Sequence, residues 1–168
     1  MADLQRAYRK LKADGGGIQG HGKDGGEGAM GVSFDGMCSM FDAEPTGEAR
    51  QLFNAFVDPA QGTVPVKRLL LALNNFTGTD KGQRVSFCFW LFDDDRSGAL
   101  DESELLDILI ANHMASGPDA VRSKANVIMR QADKDGSGSI DLDEFIVVSQ
   151  KFPNLLFPMH GGAQAGVA

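Results

Sequence analysis

Residues 133–144 read Asp-Lys-Asp-Gly-Ser-Gly-Ser-Ile-Asp-Leu-Asp-Glu, and residues 93–104 read Asp-Asp-Asp-Arg-Ser-Gly-Ala-Leu-Asp-Glu-Ser-Glu. Both strings carry oxygen donors at positions 1, 3, 5, 9 and 12, a glycine at position 6 and an aliphatic residue at position 8. This is the spacing with which a twelve-residue loop wraps one Ca²⁺ ion. A single solvated acidic turn can share these residue types, but two copies that match at every constrained position favour calcium binding.

Each loop offers the oxygen ligands that Ca²⁺ requires. Ca²⁺ is a hard cation that takes six to eight oxygens, including a backbone carbonyl at loop position 7 and both carboxylate oxygens of the glutamate at position 12. We therefore predict two bound Ca²⁺ ions, with Mg²⁺ as a competitor at rest. The predicted ligands are Asp93, Asp95, Ser97, Ala99, Asp101 and Glu104 in the first loop, and Asp133, Asp135, Ser137, Ser139, Asp141 and Glu144 in the second.

Apolar residues at helical spacing flank both loops and predict a helix on each side of them. Pro118 fits the first turn of the helix that enters the second loop, because a missing N–H costs nothing there. The flanking apolar residues are Val85, Cys88, Phe89, Phe92, Leu105, Ile108 and Leu109 around the first loop, and Ala125, Ile128, Met129, Ala132, Phe145 and Val148 around the second.

This succession of helix, twelve-residue loop and helix resembles the EF-hand superfamily. The resemblance implies an all-α fold in which EF-hand helix–loop–helix units occur in pairs. The paired loops of that family meet through a short β-contact at loop position 8, which falls on Leu100 and Ile140 in this sequence.

A degenerate third unit is predicted upstream of these two. Setting Gly62 at position 6 of a loop over residues 57–68 puts Val64 at position 8, as in the two acidic loops. Positions 1, 3 and 12 are then Val57, Pro59 and Arg68. None of these residues supplies a carboxylate. We predict that this unit keeps the fold and binds no metal.

The N-terminal residues permit two interpretations. In the first, residues 2–12 form a helix with Leu4, Tyr8 and Leu11 on one face, and residues 25–36 form a fourth loop with Val32 at position 8. In the second, the region is a flexible arm, since nine of the seventeen residues 15–31 are glycine and such a stretch is costly to order.

Composition bounds the function. The formal charge of −7 and pI near 4.8 argue against a nucleic-acid partner, because the sequence has no basic stripe to neutralise phosphates. Cys38 and Cys88 lie in apolar stripes and are interpreted as buried thiols. None of the three histidines neighbours a plausible nucleophile in sequence, so no enzyme activity is expected; these histidines are His21, His113 and His160.

The order of a poor loop, two good loops and a short apolar tail resembles two groups of EF-hand proteins. One is the neuronal calcium sensors and calcineurin-B-like proteins, and residues 73–81 resemble the linker between their lobes. The other is the calaxin-like ciliary sensors. Ala2 replaces the glycine that myristoylation requires, so no membrane anchor is expected. Without a signal peptide or membrane span, the expected location is cytoplasmic, with a cytoskeletal or ciliary site as a variant.

The predicted organisation is an N-terminal helix and glycine-rich arm (1–31), a degenerate EF-hand region (32–75), a calcium-binding pair (80–150) and an apolar C-terminal turn with a flexible tail (151–168). Three functions remain open: a calcium sensor, a constitutive light-chain-like subunit of a cytoskeletal or ciliary assembly, and a calcium buffer. In the sensor, calcium exposes a groove that binds an amphipathic helix of a partner protein. The predicted groove residues are Phe87, Phe89, Leu105, Ile108, Met129, Phe145 and Val148.

The tail after the second loop is unusually apolar for the end of an acidic chain. Pro153 can start a short helical turn, and Pro158 limits its length. We predict that Leu155, Leu156 and Phe157 either pack permanently on their own lobe or occupy the groove as a stand-in ligand that yields to a partner helix.

Overall fold

The computed structural model describes residues 2–13, 18–19, 30–75, 80–112 and 117–155. The chain divides into two compact units, residues 1–77 and 78–168. Both are mostly helical and contain a small antiparallel sheet, as the all-α prediction with short β-contacts requires. No helix within the described residues is long and apolar enough to cross a bilayer.

The second unit contains two consecutive helix–loop–helix hairpins. Its strands β4 (Ala99–Leu100) and β5 (Ile140–Asp141) are antiparallel and pair Leu100 with Ile140 and Ala99 with Asp141, which confirms the predicted β-contact. Helix α7 begins at Pro118, as expected. The elements are α5 (Lys81–Phe92), β4 (Ala99–Leu100), α6 (Glu102–Ala111), α7 (Pro118–Ala132), β5 (Ile140–Asp141), α8 (Leu142–Lys151) and a 3₁₀ turn (Pro153–Leu155).

Apolar faces of these four helices form the core of the second unit. Rings from α5 and α8 meet there, with the Phe89 and Phe145 centroids 5.8 Å apart. Met129, predicted to lie in the apolar stripe of α7, is only half-buried. Core residues with 0% exposure are Cys88, Leu91, Phe92, Leu100, Leu105, Ile108, Leu109, Ala125, Ile128, Ile140, Phe145 and Leu155.

The first unit has the same order of helices around a three-stranded sheet. Helix α1 (Ala2–Ala13) buries Leu4, Tyr8 and Leu11, as the helical interpretation of residues 2–12 predicted. Its elements are α1 (Ala2–Ala13), β1 (Ile18–Gln19), β2 (Met30–Val32), α2 (Phe34–Met40), α3 (Gly47–Phe56), β3 (Val64–Pro65) and α4 (Val66–Asn74).

Strands β2 and β3 reproduce the register of the second unit. Val32 pairs with Val64, and Gly31 pairs with Pro65. Counted along loops 25–36 and 57–68, these are positions 8 with 8 and 7 with 9, as in the β4–β5 pair. The backbone pairing therefore supports a fourth helix–loop–helix remnant.

Glycine is required at position 31 for this close approach. A Cβ added there would lie 2.4 Å from Thr63 Oγ1, and Thr63 is buried. Strand β1, which pairs with β2 through Ile18 and Gly31, was not anticipated. The rest of the glycine-rich arm, residues 14–17 and 20–29, and the predicted knob residues Leu156 and Phe157 lie outside the described residues.

The loop over residues 57–68 closes through its own backbone. Val57 ends α3, Gly62 has a φ of +67°, and Pro65 precedes α4, so positions 1, 6 and 9 keep the roles that they have in the acidic loops. Asp58 N donates to Thr63 O at 2.8 Å, and Gly62 N donates to Asp58 O at 2.8 Å.

The predicted linker over residues 73–81 starts too early. Helix α4 continues to Asn74, and Asn75 caps it. Asn74 is 1% exposed, so Leu73 and Asn74 belong to the packed helix and not to the linker that the resemblance suggested.

Candidate metal centres

The first loop brings three carboxylates together. Asp93, Asp95 and Glu104 each offer an oxygen, and these oxygens all lie within 4.8 Å of one another. Asp93 caps the C-terminus of α5, and Glu104 lies in the first turn of α6. The site therefore joins the facing ends of two helices.

Backbone amides hold these carboxylates in position. Asp93 Oδ1 accepts from Ser97 N at 3.0 Å, and Asp95 Oδ1 accepts from the same amide at 2.9 Å. The two oxygens of Glu104 accept from opposite ends of the loop, Oε1 from Asp94 N at 2.7 Å and Oε2 from Asp101 N at 3.1 Å. The glutamate thus connects the two ends of the loop through both of its oxygens.

The second loop repeats this geometry. Oxygens of Asp133, Asp135 and Glu144 also lie within 4.8 Å of one another. Glu144 Oε1 accepts from Lys134 N at 2.7 Å, and Oε2 accepts from Asp141 N at 3.1 Å. Asp133 and Glu144 are only partly buried, whereas Asp93 and Glu104 of the first loop are buried, with 6% and 9% exposure.

The other predicted ligands lie in the same turns, and their ligand roles stay predictions. Ser97 Oγ donates to Ala99 O at 2.8 Å, and Ser137 Oγ donates to Ser139 O at 3.2 Å, so the oxygens of positions 5 and 7 are adjacent. The aspartates at loop position 9 cap the outgoing helices. Asp101 Oδ1 accepts from Glu104 N at 2.9 Å, and Asp141 Oδ1 accepts from Glu144 N at 2.8 Å.

Electrostatics in both loops suits a divalent cation. The hydrogen bond from the Ser97 amide lowers the pKa of Asp95, and that from the Ser137 amide lowers the pKa of Asp135. Burial instead raises the pKa of Glu104 against hydrogen bonds that lower it. Converging carboxylates repel one another, and an oxygen-only donor set is what Ca²⁺ prefers.

One feature near the first loop was missed from the sequence. Arg96, at loop position 4, has a φ of +60° and places its guanidinium carbon 4.5 Å from the centroid of the Trp90 ring. Its Nη1 also donates to the Trp90 carbonyl. The available signal was the spacing of six residues between an arginine and a tryptophan at the end of a helix.

Within the described residues, the two acidic loops hold the only clusters of three or more potential metal-binding side chains. A family model described as an EF-hand domain pair matches residues 83–148. Residues 83–148 form an EF-hand pair. This pair contains both carboxylate clusters, and the clusters are consistent with two Ca²⁺ ions.

The relatives of this chain include proteins whose names refer to calcium. The chain is 28% identical over 108 residues to human "Guanylyl cyclase-activating protein 3", covering 63% of this chain and 52% of that protein. It is 28% identical over 109 residues to "Calcium and calcium/calmodulin-dependent serine/threonine-protein kinase" of Lilium longiflorum, covering 64% and 21%. It is 40% identical over 68 residues to "Probable calcium-binding protein CML20" of Arabidopsis thaliana, covering 40% and 38%. The chain thus spans about half or less of these relatives.

Proposed function

We propose that the protein is a calcium sensor that regulates a partner protein through an apolar groove in its second unit. The observation that carries this proposal is the position of Glu104 and Glu144. Each lies in a metal cluster and also in the first turn of an outgoing helix, α6 or α8. Metal binding at either glutamate therefore acts directly on the angle of a helix that closes the core.

The residues proposed to line the groove are covered in the structure. Leu105, Ile108 and Phe145 are 0% exposed, and Val148 is 1% exposed. Phe87 and Phe89 are also buried, while Met129 is half-buried. A change in the angles of α6 and α8 would uncover this surface, and an amphipathic helix is the ligand that fits such a groove.

The relatives support regulation without catalysis. The name of the human relative describes activation of another protein, a guanylyl cyclase. The match to the lily kinase covers 21% of that kinase, so it carries no argument for kinase activity in this chain. The proposal therefore assigns the protein a binding role.

The test is calorimetry with a synthetic leucine–lysine amphipathic helical peptide, in calcium and in chelator. The peptide's positive charge matches the acidic chain. We expect binding in calcium only, and we expect the double variant Glu104→Gln, Glu144→Gln to lose it. Absence of binding in both conditions would overturn the sensor in favour of a buffer.

A constitutive, light-chain-like subunit is the second candidate, and the first unit favours it. Loop 57–68 closes by backbone hydrogen bonds and has Val57 and Arg68 where metal ligands would stand. A unit of this kind would need no calcium to keep its fold. Equal peptide affinity in calcium and in chelator would select this function over the sensor.

A further inference from the structure

The residue at loop position 4 differs between the two acidic loops. It is Arg96 in the first loop and Gly136 in the second, and both residues have a left-handed backbone, with φ of +60° and +76°. Glycine adopts this conformation without a steric cost, whereas a residue with a Cβ does not. The first loop therefore carries a long side chain, in a strained conformation, where the second loop carries only backbone.

The Arg96 side chain is held by the helix that precedes its own loop. Its guanidinium carbon lies 4.5 Å from the centroid of the Trp90 ring, and its Nη1 donates to the Trp90 carbonyl. The Trp90 ring stacks in turn on Phe87, with the centroids 5.8 Å apart, and Phe87 is 1% exposed. We call the contact of Arg96 with Trp90 the loop clasp. It connects the first loop to the core of the second unit.

The loop clasp acts between two predicted ligands. Arg96 lies between Asp95 and Ser97, which are the ligands predicted at positions 3 and 5. Because consecutive Cα atoms are fixed about 3.8 Å apart, holding Arg96 in place also limits how far these two ligands can move toward an ion. In the second loop Gly136 has no side chain to hold, and Arg130 stands where the first loop has its tryptophan. The second loop therefore has no clasp.

The hydrogen bonds around loop position 1 differ accordingly. In the second loop, Asp133 Oδ1 accepts from Gly136 N at 2.8 Å and from Ser137 N at 3.1 Å. In the first loop, Asp93 Oδ1 accepts from the position-5 amide at 3.0 Å, and within the described residues the position-4 amide donates no hydrogen bond to it. The second loop thus closes around its first carboxylate with one more amide than the first loop does.

We propose that the loop clasp makes the first loop selective for Ca²⁺ over Mg²⁺, and that the second loop, which has no clasp, binds either ion. Mg²⁺ requires a nearly octahedral shell at about 2.0–2.1 Å, whereas Ca²⁺ accepts a flexible shell of oxygens at about 2.3–2.6 Å. A loop must therefore contract by roughly 0.3–0.5 Å at each ligand to hold Mg²⁺. The clasp opposes this contraction in the first loop.

The two loops then have different tasks. In millimolar Mg²⁺ the second loop is filled at rest, and the first loop is left for calcium. Glu104 of the first loop lies in the first turn of α6, so the angle of α6 responds to calcium alone. This inference rests on metal binding by the two loops and not on the partner groove, so it goes beyond the proposed function.

Calorimetric titration of single-site, full-length proteins with CaCl₂ and with MgCl₂ tests the proposal. Asp133→Ala leaves the first site alone and Asp93→Ala leaves the second, because each removes the position-1 carboxylate on which several loop amides converge. The readout is the ratio of the Mg²⁺ to the Ca²⁺ dissociation constant. We expect this ratio to be about tenfold larger at the first site. Equal ratios at the two sites would overturn the proposal.

The unsubstituted protein gives the same comparison without any change to a ligand. It is titrated with CaCl₂ in the presence and in the absence of excess MgCl₂. We expect one of the two calcium affinities to fall in MgCl₂ and the other to stay unchanged. A fall of both affinities by the same factor would overturn the proposal.

Two substitutions remove the loop clasp in different ways. Arg96→Gly gives the first loop the residue that the second loop has at position 4, and Trp90→Leu removes the ring but keeps the charge of the arginine. In the Asp133→Ala protein, each should lower the ratio at the first site about tenfold, because the loop can then contract onto Mg²⁺. Circular dichroism verifies that each variant is folded. A ratio that either substitution leaves unchanged would overturn the role of the clasp.

Two further variants separate the clasp from the positive charge. Arg96→Lys keeps the charge but lacks the planar guanidinium that stacks on an aromatic ring, so it should lower the ratio as Arg96→Gly does. Gly136→Arg is the matched control in the second loop, where it adds the charge without a tryptophan to stack on. It should leave the ratio at the second site unchanged. A full ratio in Arg96→Lys, or a tenfold rise in Gly136→Arg, would overturn the clasp in favour of charge alone.

The emission of Trp90 gives a second readout of the first site. In the Asp133→Ala protein, CaCl₂ should change this emission and millimolar MgCl₂ should leave it unchanged. An equal change with both ions would overturn the selectivity of the first loop. Failure of the proposed function has a different signature, because a protein that binds no amphipathic peptide in calcium would still show which ions each loop binds.

Discussion

Val32 and Val64 lie directly opposite each other across β2 and β3, and both side chains are 0% exposed. Leu100 and Ile140 have the same relationship across β4 and β5. In the second unit, acidic clusters lie beside this contact, whereas loop 57–68 of the first unit offers valine and arginine at positions 1 and 12. We therefore expect apolar contact, rather than metal, to join the paired loops of the first unit.

Replacing Val64 with alanine should lower the free energy of unfolding of the first unit by about 2 kcal/mol, because a fully buried side chain loses its contacts and leaves a cavity. The loss should be the same in calcium and in chelator, since no ligand of a predicted site is affected. Urea unfolding followed by circular dichroism in both conditions measures it.

Ile140→Ala is the matched control in the second unit, where the residue sits between calcium loops. The loss in free energy of unfolding that Ile140→Ala causes should depend on calcium, because the β4–β5 contact couples two predicted sites. A calcium-dependent cost for Val64→Ala would contradict the prediction that the first unit binds no metal.

The protein should bind two Ca²⁺ ions, with dissociation constants on the order of 10⁻⁷ to 10⁻⁵ M, as in sensor EF-hands. Glu104→Gln and Glu144→Gln should each remove one ion, because each replaces a carboxylate that spans its loop. Isothermal titration calorimetry gives the stoichiometry. Glu102→Gln is the control, since Glu102 is exposed and stands at loop position 10. Binding of a third ion would contradict the prediction that loop 57–68 binds no metal.

The sequence predicted the parts of the fold that depend on fixed spacing. The contact of Leu100 with Ile140 followed from loop position 8 alone, and Val64 fell opposite Val32 because Gly62 keeps its place in a degenerate loop. Strand β1 was missed because two residues in a glycine-rich run have no detectable periodicity.

Contacts that depend on tertiary packing were not predictable in this way. The stacking of Arg96 on Trp90 requires a positive φ within a loop, which sequence spacing alone does not specify. Asn112 and Leu155 are 43 residues apart in the chain, and their hydrogen bond exists only once α6 and the 3₁₀ turn are packed. The sequence predicted the turn at Pro153 but not the carbonyl that anchors it.

Glu104 should make the stability of the calcium-free protein depend on pH. Burial raises its pKa in the folded state, so the folded state binds this proton more tightly than the unfolded state does. The stability that it contributes is present at low pH and is lost as the pH rises through the raised pKa. In chelator, Glu104→Gln should remove the part of the pH dependence that comes from Glu104. At neutral pH the variant should then be at least as stable as the parent protein.

Urea unfolding of the parent and of Glu104→Gln over a pH series tests this prediction. The readout is the difference between their free energies of unfolding at each pH. The difference is needed because the pKa values of Asp95 and Asp135 are lowered in the folded state. The stability that these two residues contribute is therefore lost as the pH falls, which is the opposite direction. In saturating calcium the order should reverse, with the parent more stable. A parent protein that is more stable than Glu104→Gln at neutral pH in chelator would contradict the prediction.

Calcium binding to the first loop should change the emission of Trp90, the single tryptophan. The Arg96 guanidinium lies over the Trp90 ring, and Arg96 belongs to the loop that encloses the ion. Arg96→Gln should therefore shift the emission of the calcium-free protein and reduce the calcium-induced change, at a cost of about 0.5–1 kcal/mol in stability. Glu104→Gln should abolish the change, whereas Glu144→Gln, in the second loop, should leave it in place. Unchanged Trp90 emission at a calcium concentration that calorimetry shows to fill both sites would contradict a coupling between the first loop and α5.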